Sequence, residues 1–270
     1  MNRKMSNPPV YYALAQVQFN PIAAMESYIK QIQDKLRLEG YTLFEEKKNA
    51  QLHFEASTSP PQARIIEIPM WCITKPDQTA GFIIGQSYLT YHTTHYTTHD
   101  QFFNELLLGL KTIHSIIKLE HLRRLGLRYL NAVLPLNGET IDQYLVSGLH
   151  GIRLDAQSRY SLIESVFDTH ESLQAKGTLV SRIHSRTGQL GYPPDITPGN
   201  LSSMPRFITK DPTSHAVIDL DHFIEGQMPL DFEKIKDELN ALHKHIKHAF
   251  NTSVTDHAKK IWNERLIIKH

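Results

Sequence analysis

Apolar residues along this chain follow two spacings, and the order of those spacings recurs in its two halves. An apolar strand is predicted over 10–19, stopped by Asn20-Pro21. Ile22, Met25, Ile29, Ile32 and Leu36 then recur every three or four residues, which predicts an amphipathic helix over 22–38 with Gly40 as its stop. Strands are expected at 41–46, 52–56 and 64–71, separated by Lys48-Asn49 and Ser59-Pro60-Pro61, with a last strand in 82–94. Phe102, Phe103, Leu106, Leu110, Ile113 and Ile117 form a broad apolar face on a helix spanning roughly 100–118. The second half repeats this order. A strand at 127–134 (within an apolar run from 122) and a stop at Asn137-Gly138 precede a helix pattern over 140–147. Strands at 151–154, 160–168, 178–185 and 216–220 lead to a long helix near 231–250 and a short terminal one from 255 to about 265. The segment 188–213 holds Pro193, Pro194, Pro198, Pro205 and Pro212, which excludes sustained regular structure, and an irregular stretch of this length inside a compact domain usually has a functional role.

A repeat on this scale is an architectural signal. The expected fold class is α+β, with two similar lobes, 1–120 and 121–270, or one continuous domain. Each lobe reads strand, helix, about four antiparallel strands, helix; antiparallel sheets with helices on one face bury such a pattern economically. The topology resembles a duplicated TATA-binding-protein-like or helix-grip fold.

Composition narrows the function classes. At 270 residues, 40% hydrophobic and 21% charged, the chain is an ordinary globular protein. A net charge of +1 supplies no global field for nucleic acid or membrane, so such a role needs a local patch. Cys72 is the only cysteine, so no internal disulfide forms. The polar, proline-containing first ten residues and the lack of a long apolar run lead to the expectation of a cytoplasmic protein without a membrane role.

Pro8-Pro9-Val10 leading to Phe19, the run from Leu122 to Asn131 with its Gly126-Leu127-Arg128-Tyr129-Leu130-Asn131 core, Val217 to Phe223, Leu242-His243 and Trp262 together resemble a sporadically distributed family of bacterial and phage-associated proteins. The resemblance covers nearly the whole chain. That family has no established activity, cofactor or catalytic residue, and its patchy distribution, like that of mobile or defence-linked genes, implies an antitoxin, immunity or accessory role.

Three constellations are candidate sites. Strand alternation puts Arg124 and Arg128 on one face and Asp219 and Asp221 on one face of another strand, either a polar pocket or an ion-pair ladder on an open sheet face. Arg182, His184 and Arg186 share a strand face and suit phosphate or carboxylate recognition, or a solvated stripe. The histidines of 91–99, with His95 and His99 on one strand face, and His243, His245 and His248 lack zinc-motif spacing; on a helix His245 and His248 are neighbours while His243 lies on a different side. No nucleophile elbow, phosphate loop or dinucleotide fingerprint is present, and Cys72 reads as a buried thiol. The expectation is a non-catalytic protein-binding module with no cofactor or metal. The alternatives are a small-molecule- or metal-dependent enzyme with a pocket around Arg128, Asp219 and Asp221, and a nucleic-acid binder using Arg182, His184 and Arg186.

Overall fold

The computed structural model describes residues 5–55, 62–152, 159–170 and 176–263. In chain order these contain β1 (Val10–Phe19), α1 (Met25–Leu38), β2 (Leu43–Glu55), β3 (Gln62–Thr74), β4 (Ala80–Ile84), β5 (Tyr88–Thr93) and α2 (His99–Ile117). They continue with β6 (His121–Val133), β7 (Tyr160–His170), β8 (Lys176–Gly188), β9 (Thr213–Pro229), α3 (Phe232–Ser253) and α4 (Asp256–Asn263). The nine strands form one antiparallel sheet in the order β2-β3-β4-β5-β1-β6-β9-β8-β7. No helix among the described residues is long and apolar enough to cross a membrane.

The sheet runs unbroken through the middle of the molecule, because β1 pairs with β6 over most of its length. In each half the first strand pairs with the last: β1 with β5, and β6 with β9. The halves differ in count, with five strands before α2 and four after it. The strands expected at 41–46 and 52–56 merge into the single strand β2 over 43–55, since Lys48 and Asn49 stay in register opposite Pro69 and Ile68; residue 56 lies outside the described residues. The expected 82–94 strand is instead a hairpin, turning between Ile84 and Tyr88.

Four helices cover one face. The predicted period of α1 is its buried stripe: Met25, Ile29, Ile32 and Leu36 point into the core, against β3 and α2. Gly40 ends the approach at φ +90°, a conformation glycine adopts without a Cβ penalty. α2 starts at Thr98, whose side chain accepts from the Gln101 N–H, and packs between α1 and α3. α3 is capped by Asp231, which accepts from the Glu233 and Lys234 N–H groups, and lies over β6, β8 and β9. α4 buries Ala258 and Trp262 against Tyr144 and Phe250.

The helix expected at 140–147 does not form; the chain makes two 3₁₀ turns, Ile141–Gln143 and Ser147–Leu149. Its backbone groups are used elsewhere. The Val146 N–H donates to the Ser253 carbonyl, the Thr255 N–H donates to the Tyr144 carbonyl, and Leu145 bridges to Val254. The apolar residues that suggested a helix, Tyr144 and Leu145, are buried at the α3–α4 junction instead. Residues 151 and 152 are not in a strand, and the rest of the expected 151–154 strand lies outside the described residues.

Residues 189–212 cross the sheet's other face as a strap with one 3₁₀ turn, Pro205–Phe207. Ile196, Leu201 and Phe207 bury a second, smaller core against Tyr11, Tyr12, Leu130, Ala132 and Val217. The strap reaches far into the first half: Ser202 N–H donates to the Gln78 carbonyl at 2.8 Å, and Asn200 donates to Glu45 on β2 at 2.5 Å.

Candidate functional site

The predicted arginines and aspartates meet on the strap face. In the β6–β9 register Arg128 stands opposite Asp221, but its guanidinium reaches diagonally to Asp219. Arg128 donates through Nε to Asp219 Oδ1 at 2.8 Å and through Nη2 to Oδ2 at 2.7 Å. It also donates through Nη1 to Asp195 Oδ2 at 2.5 Å and through Nη2 to Oδ1 at 3.1 Å, so two carboxylates clamp it. Asp219 has no exposed surface. Burial acts to raise its carboxyl pKa, but the adjacent His184 imidazole together with the Arg128 and Arg182 guanidiniums outweighs burial and the net shift is downward. Asp195 is held low mainly by its hydrogen bonds from Arg128. Asp221 goes the other way, because burial raises it more than Arg124 and Arg128 lower it.

His184 Nε2 lies 3.6 Å from Asp219 and its Nδ1 is 3.1 Å from the Tyr160 hydroxyl. Arg182 donates to Glu164 on β7 at 2.6 Å, with its other end 3.9 Å from Asp219. Arg124 lies apart from this cluster, with its guanidinium 4.1 Å above the Phe223 ring and 3.5 Å from Glu225. Arg186, the third member of the β8 stripe, is exposed near the start of the strap. Thus Arg128, Asp219, Arg182 and His184 converge, whereas Arg124 and Arg186 flank them. The cluster's charges are opposed within the protein, and Asp195 ties the strap to the sheet through it.

The histidines are dispersed. β5 ends at Thr93 and His99 begins α2, so His95 and His99 do not share a strand face. His92 is buried beside the Tyr12 hydroxyl at 3.0 Å, and burial pushes its pKa down to about 3. Among the described residues, no three His, Cys, Asp or Glu side chains gather in a way that could hold a metal ion. Cys72 is a buried free thiol whose pKa is pushed up by burial.

A second feature lies on the helix face. Between α3 and the β7–β8 pair runs a groove of about 1090 Å³. Its floor is Ser165, Phe167 and Thr169 of β7 with Leu179 and Ser181 of β8, and Val146, Gly148 and Leu149 also line it. One wall is α3, with Lys244 and Lys247 exposed at the rim. Among the described residues that line it there is no Asp or Glu. His243, His245 and His248 all border the groove, yet His243 packs on His99, Phe103 and Tyr129 while His245 stacks on His222, so the three do not converge on one point. Desolvation, with His99 and Lys247 adding to it, pushes the His243 pKa down to about 4, and its ring stacks on His99 at 4.6 Å. His222, under α3, is similarly lowered to about 4 by burial and links β7 to the helix, with Nε2 2.8 Å from the Thr169 hydroxyl and Nδ1 3.1 Å from the Leu242 carbonyl.

Asp195, Glu164 and the groove are absent from the sequence reading. Glu164 is discoverable from strand alternation once β7 and β8 are paired as a hairpin, since it stands opposite Arg182. Asp195 follows Pro193-Pro194 in an irregular segment, where no period tells which way a side chain points. No family model and no curated protein matches the chain.

Proposed function

We propose that this chain is a non-catalytic, cytoplasmic binding protein that docks a partner protein through its C-terminal flank, in the manner of an antitoxin, immunity or defence-accessory component, and that its halves descend from one duplicated unit of strand, helix, strands and helix. The shared pairing of first strand with last in each half supports the duplication. The observation that carries the binding reading is the free edge of the sheet at β7. Of the large apolar side chains exposed among the described residues, Ile152, Tyr160, Leu162, Val166 and Phe167 lie on β7 or just before it. Concentrated exposed apolar surface marks an interaction site, and an apolar edge strand is the part of a sheet that natural proteins otherwise guard. The opposite edge strand, β2, carries four consecutive charged residues, Glu45, Glu46, Lys47 and Lys48, next to its own exposed Leu43 and Phe44. The ion cluster supports the same reading, because its arginine and buried aspartate satisfy each other rather than face a ligand.

The test is affinity capture of the tagged protein from its host beside a Leu162→Lys/Val166→Lys variant, whose exposed positions leave the core intact. One stoichiometric protein should co-purify with the parent chain and be depleted about tenfold or more on the variant. Turnover of a nucleotide or cleavage of nucleic acid by the purified protein, lost on Arg128→Leu while the fold persists, sinks the reading in favour of the enzyme.

A further inference from the structure

We propose that the groove between α3 and the β7–β8 pair seats an acidic amphipathic α-helix supplied by a protein partner. The proposal rests on the binding-protein reading and names the partner's chemistry. Its first support is the other half of the molecule. There α1 follows the first strand, lies beside the long helix α2 and covers β3, where Trp71 and Ile73 are fully buried. In the second half the corresponding stretch after β6 is used at the α3–α4 junction, so no helix of this chain lies beside α3 over β7 and β8 among the described residues. The fold therefore carries, within itself, an example of what fills such a position.

The second support is chemical. The floor is mixed: Phe167, half exposed, and Leu179 beside it are its apolar part, with Val146, Leu149 and Ala249 at the border, while Ser165, Thr169 and Ser181 add uncharged hydroxyls between them. A helix laid in a groove anchors through apolar residues spaced three, four and seven apart, the spacing α1 uses with Met25, Ile29, Ile32 and Leu36. The rim is cationic on its α3 side: Lys244 and Lys247 are exposed there, and among the described residues no carboxylate lines the groove. Glutamates or aspartates on the partner helix's flank complement that rim, and a basic helix is disfavoured by the same charges.

The test uses a fluorescein-labelled 14-residue peptide, the length of α1, with α1's four buried residues at their spacing and glutamate at the outward positions. Fluorescence anisotropy against the full-length protein should show saturable binding that weakens as salt rises. Lys244→Glu/Lys247→Glu and Phe167→Asp should each weaken it by about tenfold or more, with unchanged circular dichroism and melting temperature. A peptide with lysine in place of every glutamate should bind at least about tenfold less tightly. No saturation, equal affinity for the lysine peptide, equal affinity on the double variant, or a groove that takes inorganic polyphosphate but no peptide each overturns the proposal. Failure of the peptide while a captured partner still depends on Leu162 and Val166 removes the groove alone. Saturable peptide binding with no partner ever captured supports the groove and removes the broader reading.

Discussion

The two flanks of the sheet are built from the same order of elements but finished differently. On the N-terminal flank α1 buries β3 from the helix side, and the edge strand β2 carries consecutive glutamates and lysines. On the C-terminal flank the helix row stops at α3, leaving Phe167 half exposed in an open groove, and the edge strand β7 presents Leu162 and Val166 to solvent. The strap face shows a parallel contrast. Its C-terminal side is fixed by a buried ion pair in the Asp195–Arg128–Asp219 cluster, whereas on its N-terminal side the strap itself offers only uncharged groups, as in the bond from the Thr94 hydroxyl to the Ser202 carbonyl at 2.6 Å and the exposed one from Asn200 to Glu45. One flank is filled on its helix side by α1, and the other keeps an open groove there where a partner can bury apolar surface. The difference lies in a single connection, the one after each half's first strand.

The sharpest way to break this contrast is Arg128→Leu. It strips buried Asp219 of its two-bonded partner, leaving only the more distant His184 and Arg182, and should cost about 3–5 kcal/mol in urea denaturation, against about 0.5–1.5 kcal/mol for Thr94→Val on the other side. Equal costs would mean that the charge cluster is no stronger an anchor than the hydroxyl. Next comes a matched pair on the helix side. Ile32→Ala, in the filled position, should lose about 2–5 kcal/mol, whereas Phe167→Ala, on the open one, should stay within about 0.5 kcal/mol. A large loss at Phe167 would show that the groove floor is core after all.

Acid should loosen the protein in two stages. His222 and His243 have folded pKa values near 4 against an ordinary 6.5, so the folded state resists protonating them; stability is full above about pH 6.5 and falls as pH drops toward about 4. Asp219 and Asp195, lowered in the folded state, add their loss only as pH falls below the ordinary 3.8 through their folded values. Denaturation curves at successive pH values should show His222→Gln flattening the first stage and leaving the second. The smallest expected effect is Asp195→Asn. Because Asp195 is largely exposed it should change stability by no more than about 1 kcal/mol, while speeding limited proteolysis within 189–212.

The elements with a sustained period were legible. β1 was expected at its observed ends, and α1, α2 and α3 were expected within about three residues of theirs, because an amphipathic face both sets the pattern and is what the fold buries. Period failed at 140–147, where Ile141, Tyr144 and Leu145 have helical spacing but their backbone pairs with the α3–α4 junction through contacts more than a hundred residues distant. Alternation put Arg128 with Asp219 and Asp221 on matching faces, yet the choice of the diagonal partner depends on where Asp195 arrives from the strap. The groove was invisible for a related reason: it is defined by an element that does not form, and a pattern of apolar residues can announce a helix but not an empty place beside one.

The strap also has a consequence in time. Asn200 bonds to Glu45 across a separation of 155 residues, and Thr94 to Ser202 across 108. Such closures carry a heavy loop entropy and are rewarded only when the surfaces they join already exist. The strap's tyrosine-lined seat is itself assembled from β1, β6 and β9, so 189–212 can dock only after the central strands are in register. Its docking would then be the last event of folding, and a Tyr192 or Tyr12 fluorescence change should lag the formation of the sheet.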